Sequence, residues 1–216
     1  MTGAFTWPSC TTLLEISTKP VNMIATTANL TECVRHGVGR KNALFRVRQQ
    51  KCCRRPMTQH TILQLNTRWA YVIADKISVI EQLAYKKKAF IIVLQETHCT
   101  TADKLVIPNF SLTRSVPSRN HGLARFVHER LEWSLVDQSP EQSETEWLCV
   151  DVAGYKLINV YKPPCSRFTP MAIPTFPHPS LYVGDFNCQL VNWGYNKPSP
   201  DGETLDALAA PNNLGL

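Results

Sequence analysis

The sequence lacks the features of an exported or membrane-spanning chain. Its N-terminus has no basic region followed by an apolar one, and no window reaches the roughly 18 uninterrupted apolar residues that a membrane span needs. Its eight cysteines form no CxxC pair and no even spacing, which indicates reduced thiols. We therefore expect an intracellular protein that does not enter the membrane, with the nucleus among its candidate locations.

A structural zinc site is also disfavoured by the cysteine pattern. Cys33, His36, Cys52 and Cys53 are the residues that could be combined into one. Adjacent cysteines ligate a single tetrahedral metal poorly, so we do not predict zinc here.

The basic excess of the chain is confined to its first quarter. The 216 residues carry a net charge of +6, but residues 1–57 hold nine basic and two acidic residues, whereas residues 58–216 hold 14 and 15. The apolar residues of 1–57 keep no steady period. We therefore predict a basic, poorly structured leader over 1–57 and a partial domain over 58–216. Such a leader either binds a polyphosphate by counterion release or is simply solvated.

The rest of the chain has the composition of a packed globular domain, since 44% of all residues are hydrophobic and 19% are charged. "HTILQLNT" predicts a strand, "WAYVIADKISVIEQLAY" an amphipathic helix and "AFIIVLQETH" a buried strand, which together give a βαβ rhythm. Short strands with antiparallel turn signals follow, then a proline-rich loop, the strand "LYVGDF" and a short helix from about Glu203.

Polar residues recur at or just past the ends of these predicted strands, where a sheet displays catalytic groups. They are Asn66, Glu96, the Asn159 and Tyr161 pair, and the Asp185 and Asn187 pair. In an extended chain, side chains two residues apart point the same way and lie roughly 6.5 Å apart, so the last pair could address one charged group. Each residue alone has an ordinary structural explanation, such as a turn, a cap or a core position.

Four motifs in order carry a family resemblance. "QLNT", "LQETH", "INVYKPP" and "VGDFN" resemble the endonuclease/exonuclease/phosphatase superfamily, which includes deoxyribonuclease I-like nucleases and apurinic/apyrimidinic endonucleases. "QETH", "GDFNCQLVNWG" and "HGLARFVHE", in place of the commoner "GGVAIFV", look most like the endonuclease domain of non-LTR retrotransposons. The resemblance covers about Thr58 to Leu216. It implies an α/β sandwich of two mixed sheets packed face to face, with flanking helices.

The resemblance also implies a reaction and a role for each strand-end residue. It implies hydrolysis of phosphodiester bonds in DNA with Mg²⁺ or Mn²⁺, in which Glu96 holds the metal and Asn66 orients its water shell. Asp185 would orient or deprotonate the attacking water, Asn187 would hold the scissile phosphate and Tyr161 would donate to the developing oxyanion. A reverse transcriptase domain in a longer product is a further partner that it implies.

The sequence departs from the family pattern at its end. The family's closing motif supplies an Asp-His pair, but all six histidines precede Asp185 and only 29 residues follow Asn187. We therefore expect an incomplete second sheet with an unpaired edge, and weak or absent activity. His98 is a candidate substitute for the missing histidine, and Trp193 and Tyr195 are candidates for stacking on a base or sugar.

Three functions remain open from the sequence. The first is a metal-dependent DNA endonuclease of retroelement origin, and the second is a catalytically dead remnant that at most binds nucleic acid. The third is a phosphatase of the same superfamily that acts on small molecules, which the wording of the motifs favours least.

Overall fold

The computed structural model describes residues 11–16, 22–26, 60–67, 73–99, 105–118, 121–141, 143–177, 179–211 and 214–215. The strands are β1 (Thr11–Ile16), β2 (Asn22–Thr26), β3 (His60–Asn66), β4 (Ala89–Gln95), β5 (Phe110–Val116), β6 (Leu123–His128), β7 (Trp133–Gln138), β8 (Glu146–Val152), β9 (Tyr155–Tyr161), β10 (Ser180–Asp185) and β11 (Leu214–Gly215). The helices are α1 (Ile73–Lys87), α2 (Pro200–Ala209) and a 3₁₀ turn at Val191–Trp193. Within these ranges, no helix has the length and apolarity to cross a membrane.

The strands form two mixed sheets. The first has the order β1-β3-β4-β6-β5, in which β3 and β4 are parallel and the other pairs are antiparallel. The second has the order β11-β2-β10-β9-β8-β7, in which β9 and β10 are parallel while β7, β8 and β9 form an antiparallel meander. The predicted α/β sandwich of two mixed sheets with flanking helices is therefore confirmed.

The apolar side chains divide into layers that follow the alternation of each strand. Leu63, Ile92 and Phe126 pack outward against Ile80 and Ala84 of α1. The opposite faces of the two sheets meet in a cluster that contains Ile62, Val93, Val127, Val150, Leu157 and Val183. The outer face of the second sheet is covered by α2 and by the proline-rich loop, in a cluster that contains Trp147, Val160, Phe168, Ile173 and Leu205.

One cation lies inside this sandwich. Arg125 of β6 is fully buried and its Nη2 donates to the Leu148 carbonyl of the facing sheet. Its Nε and Nη1 atoms are buried without a hydrogen-bond partner among the described residues. Burial lowers the pKa of Arg125 to about 9. The arginine stands where the commoner wording "GGVAIFV" has isoleucine, so a charge replaces a core aliphatic side chain.

Two strands correct the predicted leader. β1 pairs antiparallel with β3, and β2 pairs parallel with β10, so parts of residues 1–57 belong to the sheets of the domain. The division at residue 58 is therefore wrong for these segments. They were missed because the residues around them keep no steady apolar period, and two short strands in such a region give little signal. The Cys33 to Cys53 group lies outside the described residues.

The same pairing changes the edge of the second sheet. The second sheet was expected to be incomplete, with an unpaired edge, and in the structure β2 lies along β10 and β11 extends the sheet further on that side. On the other side, β10 requires glycine at position 184, because a Cβ there would lie 1.8 Å from the Val160 carbonyl oxygen. Gly184 thus allows β10 to lie closely against β9 and fixes the position of the next residue, Asp185.

Candidate active site

Two carboxylates from different sheets meet at the sequence-predicted site. Asn66 ends β3, and its Nδ2 donates to Glu96 Oε1 and to Asp185 Oδ2, each at 2.8 Å. Because one nitrogen contacts both oxygens, the two oxygens lie no more than about 5.6 Å apart. Glu96 follows β4, the parallel neighbour of β3, and Asp185 ends β10 of the facing sheet. The structure therefore brings these three residues together, whereas their roles remain predictions.

The backbone at this site is held in an uncommon conformation. Glu96, His98 and Asn187 have φ angles of 52°, 48° and 44°, in the left-handed region that residues other than glycine seldom adopt. Such a residue costs about 1–2 kcal/mol, least for asparagine, and residues of this kind cluster at active sites. The Glu96 turn is held by Thr67, whose Oγ1 donates to the carbonyls of Gln95 and Glu96.

Tyr161 lies beside the two carboxylates. It ends β9 and pairs in register with Asp185 of β10 and Glu146 of β8, and its hydroxyl forms a hydrogen bond with Glu96. Burial, followed by the charge of Glu96, raises the pKa of Tyr161 far above its usual range. The phenol therefore stays protonated at neutral pH and acts as a hydrogen-bond donor.

Asn187 lies at the rim of the site. Its backbone N–H donates to Asp185 Oδ1 at 3.1 Å, and its Nδ2 donates to the Lys162 carbonyl at 2.8 Å. The residue between them, Phe186, turns away from the site and is buried in the outer cluster of the second sheet. A turn, and not extended spacing, holds the two residues together, because β10 ends at Asp185 and Asn187 has a φ of 44°. The Lys162 carbonyl takes one of the two amide hydrogens of Asn187.

A buried ion pair supports this rim. Lys162 is fully buried, and its Nζ lies 2.9 Å from Asp201 Oδ2 in the first turn of α2. Burial acts to raise the pKa of Asp201, but the hydrogen bonds from Lys162 and the Phe168 N–H outweigh it and hold this pKa below its usual value. The ion pair connects the end of β9 to α2, whose N-cap is the Ser199 side chain.

A polar layer lies beneath the carboxylates, between the sheets. Gln64 Nε2 donates to Gln95 Oε1, Gln95 Nε2 donates to Asn159 Oδ1, and Asn159 Nδ2 donates to the Leu94 carbonyl. All three side chains are fully buried. Asn159, which sequence reasoning grouped with Tyr161, is therefore a link between the sheets and not a group that a substrate can reach.

Glu146 is a carboxyl group of the site that sequence reasoning missed. It begins β8 and is buried, and its Oε2 accepts the N–H of Gly122 at 2.9 Å. Burial raises its pKa to about 7, and the Gly122 hydrogen bond only partly opposes this shift. Glu146 is at the start of a strand and not at its end, but the start of an antiparallel strand lies beside the end of its neighbour, which here is Tyr161.

Two histidines lie next to Glu96. His98 Nε2 is 3.9 Å from Glu96 Oε2, and the His98 N–H donates to the His121 carbonyl at 2.7 Å. The His121 ring contacts the Tyr161 ring, with centroids 5.1 Å apart. Burial lowers the pKa of His121, which the charge of Glu96 partly offsets. The signal for His121 was its place in "HGLARFV", where the commoner wording begins with glycine.

An open cavity of about 460 Å³ adjoins Asp185 and Asn187. Arg167 and Tyr195 also line it, so it offers a cation and an aromatic ring. Trp193, the other stacking candidate, is partly buried against the outer cluster of the second sheet and packs there. Of the two aromatic candidates, only Tyr195 lines this cavity.

The donor set fits a hard divalent cation. Mg²⁺ is usually bound by one or two carboxylates together with water and substrate oxygens. Glu96 and Asp185 supply two carboxylates at close range, although the described ranges hold no group of three histidine, cysteine or acidic side chains that could bind a metal ion. Glu96 and Asn66 are thus suitable residues for Mg²⁺ or Mn²⁺.

Comparison with known proteins gives similarity at the level of solved structures. No protein-family model and no curated protein sequence matches the chain. The chain is similar to the endonuclease domain of TRAS1, a telomere-specific non-LTR retrotransposon, at 15% identity and a TM-score of 0.46, over 71% of this chain and 70% of that one. It is also similar to the AP endonuclease LMAP from Leishmania major, at 10% identity and a TM-score of 0.46, over 65% and 62%.

An AP endonuclease from Archaeoglobus fulgidus is similar at 18% identity and a TM-score of 0.34, over 44% of this chain and 39% of that one. An endonuclease/exonuclease/phosphatase family protein from Bacteroides thetaiotaomicron is similar at 10% identity and a TM-score of 0.40, over 93% and 68%. This chain covers less than two thirds of both AP endonucleases.

Proposed function

We propose that the chain is a metal-dependent phosphodiester hydrolase of the endonuclease type that acts on DNA with low turnover. The observation that carries the proposal is the Asn66 amide, which holds Glu96 and Asp185 together across the two sheets. The strained turns at Glu96 and Asn187 support it, because backbone strain of this kind is typical of functional sites.

In this proposal each residue acts on one atom of the reaction. Asp185 accepts a proton from water as the water oxygen forms a bond to phosphorus, one ester P–O bond breaks, and the leaving oxygen takes up a proton from solvent. Tyr161 and Asn187 hydrogen-bond the phosphate oxygens as charge grows on them. Mg²⁺ or Mn²⁺, when held by Glu96 and Asn66, would neutralise part of that charge.

DNA is the proposed substrate because of the cavity beside Asp185. Arg167 can pair with a phosphate of the backbone, and Tyr195 can stack on a base or sugar. The motif wording supports the same substrate class. An intracellular or nuclear location and a linked reverse transcriptase domain remain predictions.

Low turnover is proposed for these 216 residues alone, because none of their six histidines lies after Asp185, where the family's closing Asp-His pair would come. Loss of one such group typically lowers the rate by about 10²–10³-fold. The alternative is a catalytically dead remnant that at most binds nucleic acid.

Nicking of supercoiled plasmid DNA distinguishes the two functions. We expect slow Mg²⁺-dependent conversion to open circles that is lost in Asp185→Ala and Glu96→Ala and kept in Asp206→Ala, an exposed carboxylate on α2. Purified fractions are compared with Asp185→Ala prepared in parallel, so that a contaminating nuclease is recognised. Nicking that is unchanged by Asp185→Ala, or absent at high enzyme concentration, would refute the hydrolase.

A further inference from the structure

The candidate active site has many acceptors and few donors left for a phosphate. Glu96, Asp185 and Glu146 contribute carboxyl groups, and both hydrogens of the Asn66 amide are used by two of them. The Tyr161 hydroxyl, a proposed donor to the phosphate, forms a hydrogen bond with Glu96 in this structure and must exchange that partner before it can donate to a substrate. A phosphodiester anion placed here therefore gains from further donors, because its oxygens gain charge as the bond to water forms.

Asn187 supplies a donor on the side of β10, since the Lys162 carbonyl takes only one of its two amide hydrogens. The other side of the site is formed by the turn before β6, which lies beyond β4 in the first sheet. His121 belongs to that turn. A hydrogen-bond donor at His121 would act together with Asn187 on one phosphate.

The position of His121 is fixed by backbone contacts. Its N–H donates to Ser118 Oγ at 3.1 Å, and its carbonyl accepts the His98 N–H at 2.7 Å. The next residue, Gly122, accepts the Thr97 N–H at 3.1 Å. This cross-connection holds the turn before β6 against the Glu96 turn, so the imidazole is placed by the same backbone as the proposed metal ligand.

The imidazole of His121 is half-buried against the Tyr161 ring. No hydrogen bond to its ring nitrogens occurs among the residues that the structure describes. His98 differs, since its Nε2 lies 3.9 Å from Glu96 Oε2 and is engaged by that carboxylate. His121 therefore has a ring N–H to offer to a ligand beside Tyr161.

We propose that His121 is a catalytic residue that donates a hydrogen bond to a non-bridging oxygen of the scissile phosphate. The inference rests on the proposed hydrolase function. The imidazole transfers no proton in this step. It stabilises the charge on the phosphate oxygen opposite Asn187, from the segment that precedes β6.

The test compares His121→Ala and His121→Gln, which keeps an N–H donor, with His128→Gln at the other end of β6 as the matched control. Steady-state cleavage of a short DNA duplex in Mg²⁺ gives kcat and KM, and thermal unfolding verifies the fold of each variant. We expect His121→Ala to lower kcat by about 100-fold with little change in KM. His121→Gln should recover part of the loss, and the control should behave as wild type.

A second measurement does not depend on turnover. The imidazole ¹H–¹⁵N signals are followed by NMR while the same duplex is added without metal, and the His121 signals should shift. The inference is overturned if cleavage depends on Asp185 but His121→Ala stays within about twofold of wild type, or if the His121 signals do not move when the duplex binds. If cleavage does not depend on Asp185, the proposed function itself fails, which is a distinguishable result.

Discussion

The substitution Glu146→Gln should make the protein more stable, and the gain should depend on pH. Glu146 is buried at the start of β8 with the Gly122 N–H as its hydrogen-bond donor. Its pKa rises from 4.5 to about 7, mainly because burial disfavours the charged form. At about 1.36 kcal/mol for each pKa unit, this rise corresponds to roughly 3 kcal/mol against the ionised carboxylate in the folded state.

The direction of this pH dependence follows from the linkage between proton binding and folding. An acid whose pKa is raised by folding is protonated in the folded state over a range where it is ionised in the unfolded state, so the folded state binds more protons there. The free energy of unfolding of the wild type should therefore fall as pH rises from about 4.5 to about 7, and level off above that range. Glutamine is neutral throughout and keeps an oxygen that can accept from Gly122.

Urea unfolding at several pH values between 4.5 and 8 measures this difference. We expect Glu146→Gln to gain up to about 3 kcal/mol over wild type across this range, and Glu144→Gln, an exposed neighbour, to follow wild type within about 0.5 kcal/mol. If the difference between Glu146→Gln and wild type stayed constant with pH, the carboxyl group would not be titrating in this range and the reasoning from burial would be refuted.

Two further stability predictions come from buried charges. Arg125→Met should raise the free energy of unfolding by about 1–4 kcal/mol, because it removes a buried cation with two unpartnered nitrogens. Arg130→Met at the surface should change this free energy little. If Arg125→Met lowered the stability instead, interactions of the guanidinium would outweigh the cost of its burial. Asp201→Asn should cost about 3–5 kcal/mol by leaving Lys162 buried without its counterion, against little change for Asp206→Asn. Since folding lowers the pKa of Asp201, its contribution to the free energy of unfolding should be present above about pH 3.8 and lost below. Chemical unfolding of wild type and Asp201→Asn at pH 7 and pH 3 tests this. An equal loss of stability at both pH values would contradict it.

The sequence predicted the layers of the fold and the meeting of three site residues. Strands that are buried on both faces read as largely apolar runs, and polar residues mark their ends, as at Asn66, Glu96 and Asp185. Parallel pairing of β3 with β4 and of β9 with β10 brings these ends to one edge, which local periodicity together with the motif order foretold.

What the sequence did not show depends on pairing between distant segments. β1 and β2 are too short to be recognised alone and exist as strands through their pairing with β3 and β10. Glu146 begins a strand, so its closeness to Tyr161 follows from the antiparallel register and not from any local pattern. Asn159 lies near the end of its strand, as the site residues do, but the facing sheet buries it. Burial between two sheets cannot be deduced from the sequence of one strand.

The two hydrogen bonds that Asn66 donates make the proposed activity depend on the closed sandwich. Asn66 and Asp185 are 119 positions apart, and their hydrogen bond exists only while the two sheets are closed on each other. A partly folded chain with both sheets formed but separated would keep its secondary structure and have no reaction centre. The chemistry proposed here would thus switch on only at the last stage of folding and would be the first property lost when the sandwich opens.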